Sequence, residues 1–108
     1  MAKVNGISVV ILNYNGEKLL PEIIPLALKA LENTGLVFEI IIVDDCSKDS
    51  SVELIKNDFT FVKCIVNATN SGFSVTANKG IMATKYEWVL LLNSDVKLEQ
   101  DYFKHLLK

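Results

Sequence analysis

The sequence predicts an α/β domain in which a mainly parallel sheet of about four strands is covered by helices on both faces. Short apolar runs alternate along the chain with segments that have helical spacing. Most of these runs are apolar on both faces, which favours covered parallel strands, because antiparallel strands usually alternate in polarity. The 108 residues suit one domain, residues 1–108, joined by right-handed crossovers.

The four predicted strands are continuous apolar runs rich in β-branched residues and leucine. Each run is five or six residues long, which suits a strand better than a helix. The runs are residues 7–12, 38–43, 61–66 and 88–92.

Four intervening segments predict helices: residues 17–33, 49–57, 73–84 and 99–107. In the first segment, leucine, isoleucine and alanine recur at helical spacing, and Gly35 follows as a stop signal. Proline fits the first turn of a helix but not its interior, so this helix is expected to begin near Pro21 or Pro25.

The second helical segment has a capping signal at its start. Asp49 or Ser50 is a candidate N-cap, and Glu53 lies three residues after Ser50, the spacing of a capping box. The sequence therefore predicts reciprocal side-chain to backbone hydrogen bonds in the first turn of this helix.

Composition excludes several classes of protein. The net charge is -2 and arginine is absent, which argues against a nucleic-acid partner, since phosphate binders usually carry a basic stripe. No apolar run reaches the roughly 20 residues of a membrane span, and the Met1 start has no apolar signal-peptide core. Cys46 and Cys64 are expected to be reduced free thiols, which predicts a cytoplasmic location.

Polar and acidic residues follow every predicted strand. In a parallel sheet the carboxyl ends of the strands share one edge, and ligands bind beyond that edge. Convergence of these segments is therefore more informative than any single motif. The segments are Asn13–Gly16, Asp44–Ser47, Asn67 with Asn70–Phe73, and Asn93–Asp95.

The motifs that are absent and the carboxylates that are present limit the kinds of ligand that this edge of the sheet is expected to bind. There is no glycine-rich dinucleotide fingerprint, no P-loop and no credible Ser/His/Asp or Cys/His constellation. The carboxylates suit two tasks: accepting hydrogen bonds from a base imide N–H or from ribose, and holding a hard divalent cation that shares substrate phosphates. Asp44 and Asp45 are adjacent and should diverge, so one of them is expected to face the ligand. Asn93 and Asp95 should face one side and Ser94 the other.

Four segments in order resemble the nucleotide-binding half of inverting family 2 glycosyltransferases. They are SVVILNYNG (8–16), EIIIVDDCSKDSS (39–51), NATNSGFSVTANKGI (67–81) and EWVLLLNSDV (87–96). The third and fourth segments look most like the rhamnosyltransferase-like branch. The resemblance covers nearly the whole chain and implies a truncated GT-A fold: a Rossmann-like three-layer αβα domain with strand order 3-2-1-4.

The same resemblance implies roles for individual residues at the nucleotide. Tyr14 would pack against the base, with the backbone of Leu12 and Asn13 beside it. Asp45 would accept the imide N–H of uracil or thymine, with Asp44 in support.

Further residues are implied around the ribose and the diphosphate. Gly72 would let the backbone approach the nucleotide, and Asn78 would line the same cleft. Asp95 would bind Mn²⁺ or Mg²⁺ at the last acid of the family's DxD motif. Asn93 replaces the first acid, and Ser94 completes the nucleotide-binding set. The loss of one charge at Asn93 puts strict metal dependence in question.

The implied function is donor binding for sugar transfer in polysaccharide biosynthesis. The parent enzyme would transfer a sugar, rhamnosyl for this branch, from a UDP- or dTDP-sugar to a glycan or lipid-linked acceptor with inversion. Family members continue for at least as long again, and that part supplies the acceptor site and the general base. No residue after Asp95 matches the base, so no catalytic residue is assigned and the chain is expected to be inactive by itself. Association of the parent with a membrane stays open.

Two other functions remain as alternatives. A response-regulator receiver has a similar length and an acidic pair, but here the pair follows the second strand, and residues 61–66 offer no phosphoacceptor aspartate. A structural remnant that no longer binds donor is the other, with the apolar fourth strand pairing to form a homo-oligomer. Light scattering that shows a monomer at all concentrations would contradict that oligomer.

Overall fold

A computed structural model describes residues 4–106, with side-chain environments as far as Lys104, and shows a four-stranded parallel sheet with helices on both faces. The sheet order is β3-β2-β1-β4, and every pairing is parallel, so the predicted fold class and strand order 3-2-1-4 are confirmed. The strands are β1 (Val4–Asn13), β2 (Phe38–Asp44), β3 (Lys63–Val66) and β4 (Tyr86–Asn93). The helices are α1 (Leu20–Glu32), α2 (Ser51–Asp58), α3 (Phe73–Met82) and α4 (Tyr102–Leu106).

The central strands carry apolar side chains on both faces, and this builds two cores. Val9 and Ile11 of β1 point into the larger core, which also takes buried residues of α1, α2 and α4. Val10 and Leu12 point into the smaller core beneath α3. The continuous apolar runs of the sequence therefore reflect a three-layer αβα arrangement, as expected for covered parallel strands.

Helix α1 begins at Leu20 and tolerates a proline in its interior. The carbonyl of Gly16 accepts hydrogen bonds from the N–H groups of Leu19 and Leu20, and Pro21 occupies the first turn, where a missing N–H costs nothing. Pro25 lies inside the helix. The prediction of a start near Pro21 is confirmed, whereas the predicted start of the segment at residue 17 was three residues early.

Helix α2 lacks the predicted capping box. Ser50 is the N-cap but makes no side-chain capping hydrogen bond. Asp49 instead accepts hydrogen bonds from the N–H and the hydroxyl of Ser51 through Oδ1, at 2.9 and 2.5 Å. The N–H of Ser50, which Glu53 was expected to accept, donates to Glu17 Oε1 at 3.2 Å, so a residue of the loop after β1 takes the place of Glu53.

Other element boundaries also differ from the sequence prediction: for example, β1 begins at Val4 instead of residue 7, and α3 ends at Met82 instead of residue 84. Strand β3 begins at Lys63, two residues after the predicted start, because Phe61 lies in a turn and is 52% exposed. Helix α4 begins at Tyr102 instead of residue 99, and residue 107 lies outside the described residues.

The parallel register brings the polar strand ends together. Asn13 pairs with Asp44 across β1 and β2, and Leu12 pairs with Asn93 across β1 and β4. The N–H of Asp45 donates to the carbonyl of Asn13, and that of Ser94 donates to the carbonyl of Leu12. Residues 12–13 therefore anchor the turns that leave both neighbouring strands.

Both cysteines are free thiols, as the sequence predicts. Burial and the negative charge of Asp44 raise the pKa of Cys64. This thiol therefore stays protonated at neutral pH and is a poor nucleophile. Within residues 4–106, no helix is long and apolar enough to cross a membrane.

Candidate functional site

The two adjacent aspartates at the end of β2 point to different surroundings. Asp44 is fully buried and accepts hydrogen bonds from Asn13 Nδ2 at 2.8 Å, from the Ser47 hydroxyl at 2.6 Å and from the Ser47 N–H at 2.8 Å. All of these donors lie within the protein, and Asp44 does not line the cleft described below. Its role in the geometry is to hold the turn that carries Asp45.

Asp45 is the carboxylate that faces a cleft. Its Oδ1 accepts from Asn67 Nδ2 at 2.9 Å and from the Ser71 N–H at 2.7 Å, and its Oδ2 accepts from the Gly72 N–H at 3.0 Å. The Ser71 N–H, followed by Asn67, lowers the pKa of this carboxyl below its ordinary value, against the opposing effect of burial. The Thr76 hydroxyl, which lines the same cleft, also hydrogen-bonds to this carboxyl and helps to lower its pKa, so Asp45 is an ionised hydrogen-bond acceptor in the cleft wall.

The cleft lies between the β1–α1 loop and the start of α3. Its volume is about 190 Å³, and Asp45 is one of the residues that line it. Tyr14 and Phe73 both line it and are 46% and 62% exposed, although both are large aromatic residues. The remaining lining residues are Leu12, Asn13, Gly72, Thr76 and Asn93. A planar group with an edge N–H donor fits this combination of apolar walls and a carboxylate.

Gly72 shapes the wall of the cleft that α3 provides. Its φ of +86° lies in a region that other residues rarely adopt. This conformation lets the consecutive N–H groups of Ser71 and Gly72 both point at Asp45. An exposed turn that lines the cleft is thereby fixed in place, and the approach of a nucleotide to its backbone stays a prediction.

Reciprocal hydrogen bonds join the loops after β1 and β2. The N–H of Asn15 donates to the Ser47 hydroxyl, while Asn15 Oδ1 accepts from the N–H of Lys48, both at 2.8 Å. The N–H of Glu17 donates to Asp49, and Glu17 Oε1 accepts from the N–H of Ser50. These contacts fix Tyr14 relative to Asp45, because each residue lies on one of the two joined loops.

Gly16 is required by a close approach inside the same loop. A Cβ atom at this position would lie 2.2 Å from Asn13 Oδ1 and 3.0 Å from the Ser94 hydroxyl. Asn13 is buried, and its Oδ1 has no hydrogen-bond partner in the described chain. Asn13 and Ser94 therefore pack closely against Gly16; Asn13 lines the cleft, whereas Ser94 does not.

Two further predicted site residues do not line the cleft. Asp95 is exposed in the turn after β4, and Asn78 is exposed on α3. Among the residues with described side chains, no group of three His, Cys, Asp or Glu side chains could hold a metal ion. Asp95 could give a cation one anionic oxygen, so the substrate diphosphate and water would have to complete the coordination, as is usual for Mg²⁺.

Sequence reasoning assigned no role to several residues that build the site. Asn67 is 1% exposed and donates to both Asp45 and the Thr76 hydroxyl, and Lys79 Nζ donates to Asn67 Oδ1 at 2.8 Å. Phe73 follows Gly72 directly and forms part of the cleft wall. The polar residues of the turn after β3 were a visible signal, but the sequence does not show their partners. Asn67 bonds to Asp45, 22 residues away along the chain, and to Thr76, 9 residues away.

The fold and the cleft together define an α/β nucleotide-binding type of domain, with its ligand edge at the carboxyl ends of parallel strands. Comparison with known proteins gives the family. The profile of Glycosyl transferase family 2 matches residues 8–108, so the chain belongs to glycosyltransferase family 2.

Two sequence relatives illustrate the match. An uncharacterized glycosyltransferase of Haemophilus influenzae is 33% identical over 90 residues, which cover 82% of this chain and 29% of that protein. The undecaprenyl-phosphate 4-deoxy-4-formamido-L-arabinose transferase of Pseudomonas paraeruginosa is 33% identical over 95 residues, covering 84% of this chain and 28% of that protein. The chain thus spans less than a third of the length of these relatives.

Solved structures show the same fold. S. aureus TarS 1–349 in complex with UDP-GlcNAc has a TM-score of 0.80 and 27% identity, covering 94% of this chain and 30% of that one. A mannosyltransferase from Pyrobaculum calidifontis, in complex with GDP-Man and Mn²⁺, has a TM-score of 0.77 at 15% identity, covering 91% of this chain and 30% of that one. At 15% identity, the second comparison shows a shared fold and nothing further.

Proposed function

We propose that this chain is the donor-binding portion of an inverting glycosyltransferase that uses a UDP- or dTDP-sugar. Rhamnosyl is the proposed sugar, because the third and fourth segments resemble that branch. A glycan or lipid-linked acceptor is proposed, and a relative named as an undecaprenyl-phosphate transferase supports the lipid-linked case. The observation that carries the proposal is the Asp45 carboxylate, a hydrogen-bond acceptor with a lowered pKa, in the wall of an aromatic-lined cleft.

Asp45 would select bases by the hydrogen on their edge. Its lowered pKa keeps it ionised at neutral pH, so it accepts hydrogen bonds and donates none. Uracil and thymine present an imide N–H, whereas the corresponding ring nitrogen of cytosine is an acceptor and would face the carboxylate with its lone pair. A site built for a donor discriminates strongly against an analogue that lacks it.

The diphosphate would lie toward the end of β4. Asp95 is the residue that would hold Mn²⁺ or Mg²⁺, with a neutral oxygen from Asn93 as a second contribution. When bound, such a cation supplies stabilisation of the negative charge that develops on the leaving diphosphate. Since Asp95 offers one carboxylate only, this chain would bind the cation together with the nucleotide and not before it.

The acceptor site and the general base are proposed to lie outside these 108 residues. In-line displacement requires a base within hydrogen-bond reach of the attacking hydroxyl. The cleft contains Asp45 as its one carboxylate, and Asp45 is already engaged by Asn67, Ser71 and Gly72. The chain covers about 30% of its solved structural neighbours, which leaves room in a longer protein for both elements.

A panel of nucleotides titrated by calorimetry tests the donor site. UDP and dTDP should bind saturably, and CDP at least tenfold more weakly, because cytosine lacks the imide N–H. Asp45→Asn should remove most of the affinity for UDP, since its amide cannot serve the Ser71 and Gly72 N–H groups and the base together.

A matched variant controls for loss of one negative charge. Asp58→Asn removes a carboxylate that is exposed at the end of α2, outside the cleft, and should bind UDP as the unchanged protein does. Equal binding of UDP and CDP would contradict the reading of the base by Asp45. Absence of any nucleotide binding at millimolar concentration by the folded protein would contradict donor binding itself.

A further inference from the structure

Phe73 is exposed at a position where its ring has no structural task. It is the first residue of α3 and 62% exposed, so it contributes little to either core. Three other large apolar residues of α3 are exposed, namely Val75, Ile81 and Met82, and none of them lines the cleft. Phe73 is therefore the one exposed apolar side chain of this helix that is placed on the proposed ligand site.

The backbone beneath Phe73 is fixed by the carboxylate that would read the base. Asp45 accepts the N–H groups of Ser71 and Gly72, the two residues that precede Phe73. The carbonyl of Gly72 accepts from the N–H of Thr76, and the Thr76 hydroxyl accepts from buried Asn67. The ring is thus carried by a turn that is tied to Asp45, and its position is set relative to the reading edge.

Tyr14 provides a second aromatic ring on the opposite loop. It is 46% exposed, and the hydrogen bonds that join the loops after β1 and β2 set its distance from Asp45. A base whose edge meets Asp45 has two faces to cover, and the cleft is lined by one aromatic ring from the loop after β1 and one from the start of α3. Stacking on an aromatic side chain stabilises every base, because each one has a π-face.

We infer that Phe73 stacks on one face of the nucleotide base while Tyr14 covers the other. This inference rests on the proposed function and adds to it a second binding residue that acts on affinity. Asp45 reads the edge of the base, whereas Phe73 holds its face without reading its identity. Removal of the ring should therefore weaken every nucleotide by a similar factor and leave the preference between bases unaltered.

Titration of UDP, dTDP and CDP into Phe73 variants tests this division of roles. Phe73→Ala should bind UDP and dTDP about 5- to 150-fold more weakly, the range for loss of one base–aromatic stack. The ratio of UDP to CDP affinity should stay the same as in the unchanged protein. Phe73→Tyr should retain the affinity, and Phe73→Leu should fall between the tyrosine and alanine variants because it keeps bulk without a π-face.

Met82→Ala is the matched control. Met82 is 86% exposed on the same helix and lies outside the cleft, so its loss should leave UDP affinity unchanged. The melting temperature of each variant shows whether the fold is kept, and Phe73→Leu and Phe73→Tyr keep the question decidable if the alanine variant is unstable. UDP binding by Phe73→Ala within twofold of the unchanged protein, or by Phe73→Leu as tightly as by Phe73→Tyr, would overturn the inference and leave the proposed function standing. If the unchanged protein binds no nucleotide, both are overturned.

Discussion

Asp45 links the stability of the site to its chemistry. Its carboxylate closes the turn of residues 67–72 through three hydrogen bonds and also lines the cleft. Asp49, which lies just before α2, is a second carboxylate whose pKa is lowered by its hydrogen bonds. Burial tends to raise the pKa of Asp49, but hydrogen bonds from the Ser51 hydroxyl, the Ser51 N–H and the Glu17 N–H outweigh it and lower the pKa.

These two carboxylates predict a stability that depends on acid. A group with a lowered pKa in the folded state binds fewer protons there than in the unfolded chain, so it stabilises the fold above its ordinary pKa of 3.8. That contribution is lost as the pH falls through the lower, folded pKa. We expect the free energy of unfolding, measured by urea denaturation, to fall as the pH drops below about 4.

Asp45→Asn should flatten this acid dependence, since the amide does not titrate. Asp58→Asn, at an exposed position, should keep the slope of the unchanged protein. An equal slope in Asp45→Asn and the unchanged protein would show that Asp45 does not contribute to acid sensitivity.

At the residue scale, the sequence predicted which residue types lie together at the site, but not which of them hydrogen-bond to each other. The divergence of Asp44 and Asp45 follows from their adjacency, and the structure shows it. That Asp45 is tied to Asn67, Ser71 and Gly72 depends on contacts across 22 to 27 residues, which no local pattern contains. The exposure of Phe73 is equally a product of packing.

At the element scale, the close approach of α3 to the sheet depends on a glycine. A Cβ atom at Gly80 would lie 2.3 Å from Val10 Cγ1 and 3.0 Å from Val43 Cγ2. Both valines belong to the smaller core and are fully buried, so they cannot move aside easily. Helix α3 therefore sits on the sheet at a distance that excludes any side chain at this position.

Gly80→Ala tests this packing. Overpacking typically costs about 1–3 kcal/mol, whereas alanine improves helix propensity over glycine by about 1 kcal/mol. The clash is severe enough that we expect a net loss of stability in thermal or urea unfolding. Asn78→Ala, exposed on the same helix, should gain about 0.5 kcal/mol from propensity. A Gly80→Ala protein at least as stable as the unchanged one would contradict the close approach.

Element prediction succeeded where apolar runs are continuous and failed where side chains compete at the ends. Strands β1, β2 and β4 are found at the predicted runs, extended by one to three residues at their ends. The start of β3 was wrong because Phe61 is apolar but lies in a turn. The capping box was wrong because the Ser50 N–H donates to Glu17, 33 residues away along the chain, and a local spacing rule does not show a distant acceptor.

At the scale of the whole molecule, the carboxyl edge of the sheet gathers the site from segments far apart in the sequence. Register places Asn13 beside Asp44 and Leu12 beside Asn93, and α3 closes the cleft from above β1 and β2. At one side of the sheet, β4 is an edge strand and exposes Trp88 and Val89. Self-association through this strand stays a prediction, tested by light scattering across concentrations.

The most direct test of the central claim is a crystal structure of the protein with UDP and Mn²⁺ bound. We expect the uracil imide N–H within about 3 Å of Asp45 Oδ2, the ring between Tyr14 and Phe73, and the cation shared by Asp95 and the diphosphate. A nucleotide bound elsewhere on the chain, or a uracil in this cleft that does not contact Asp45, would contradict the account.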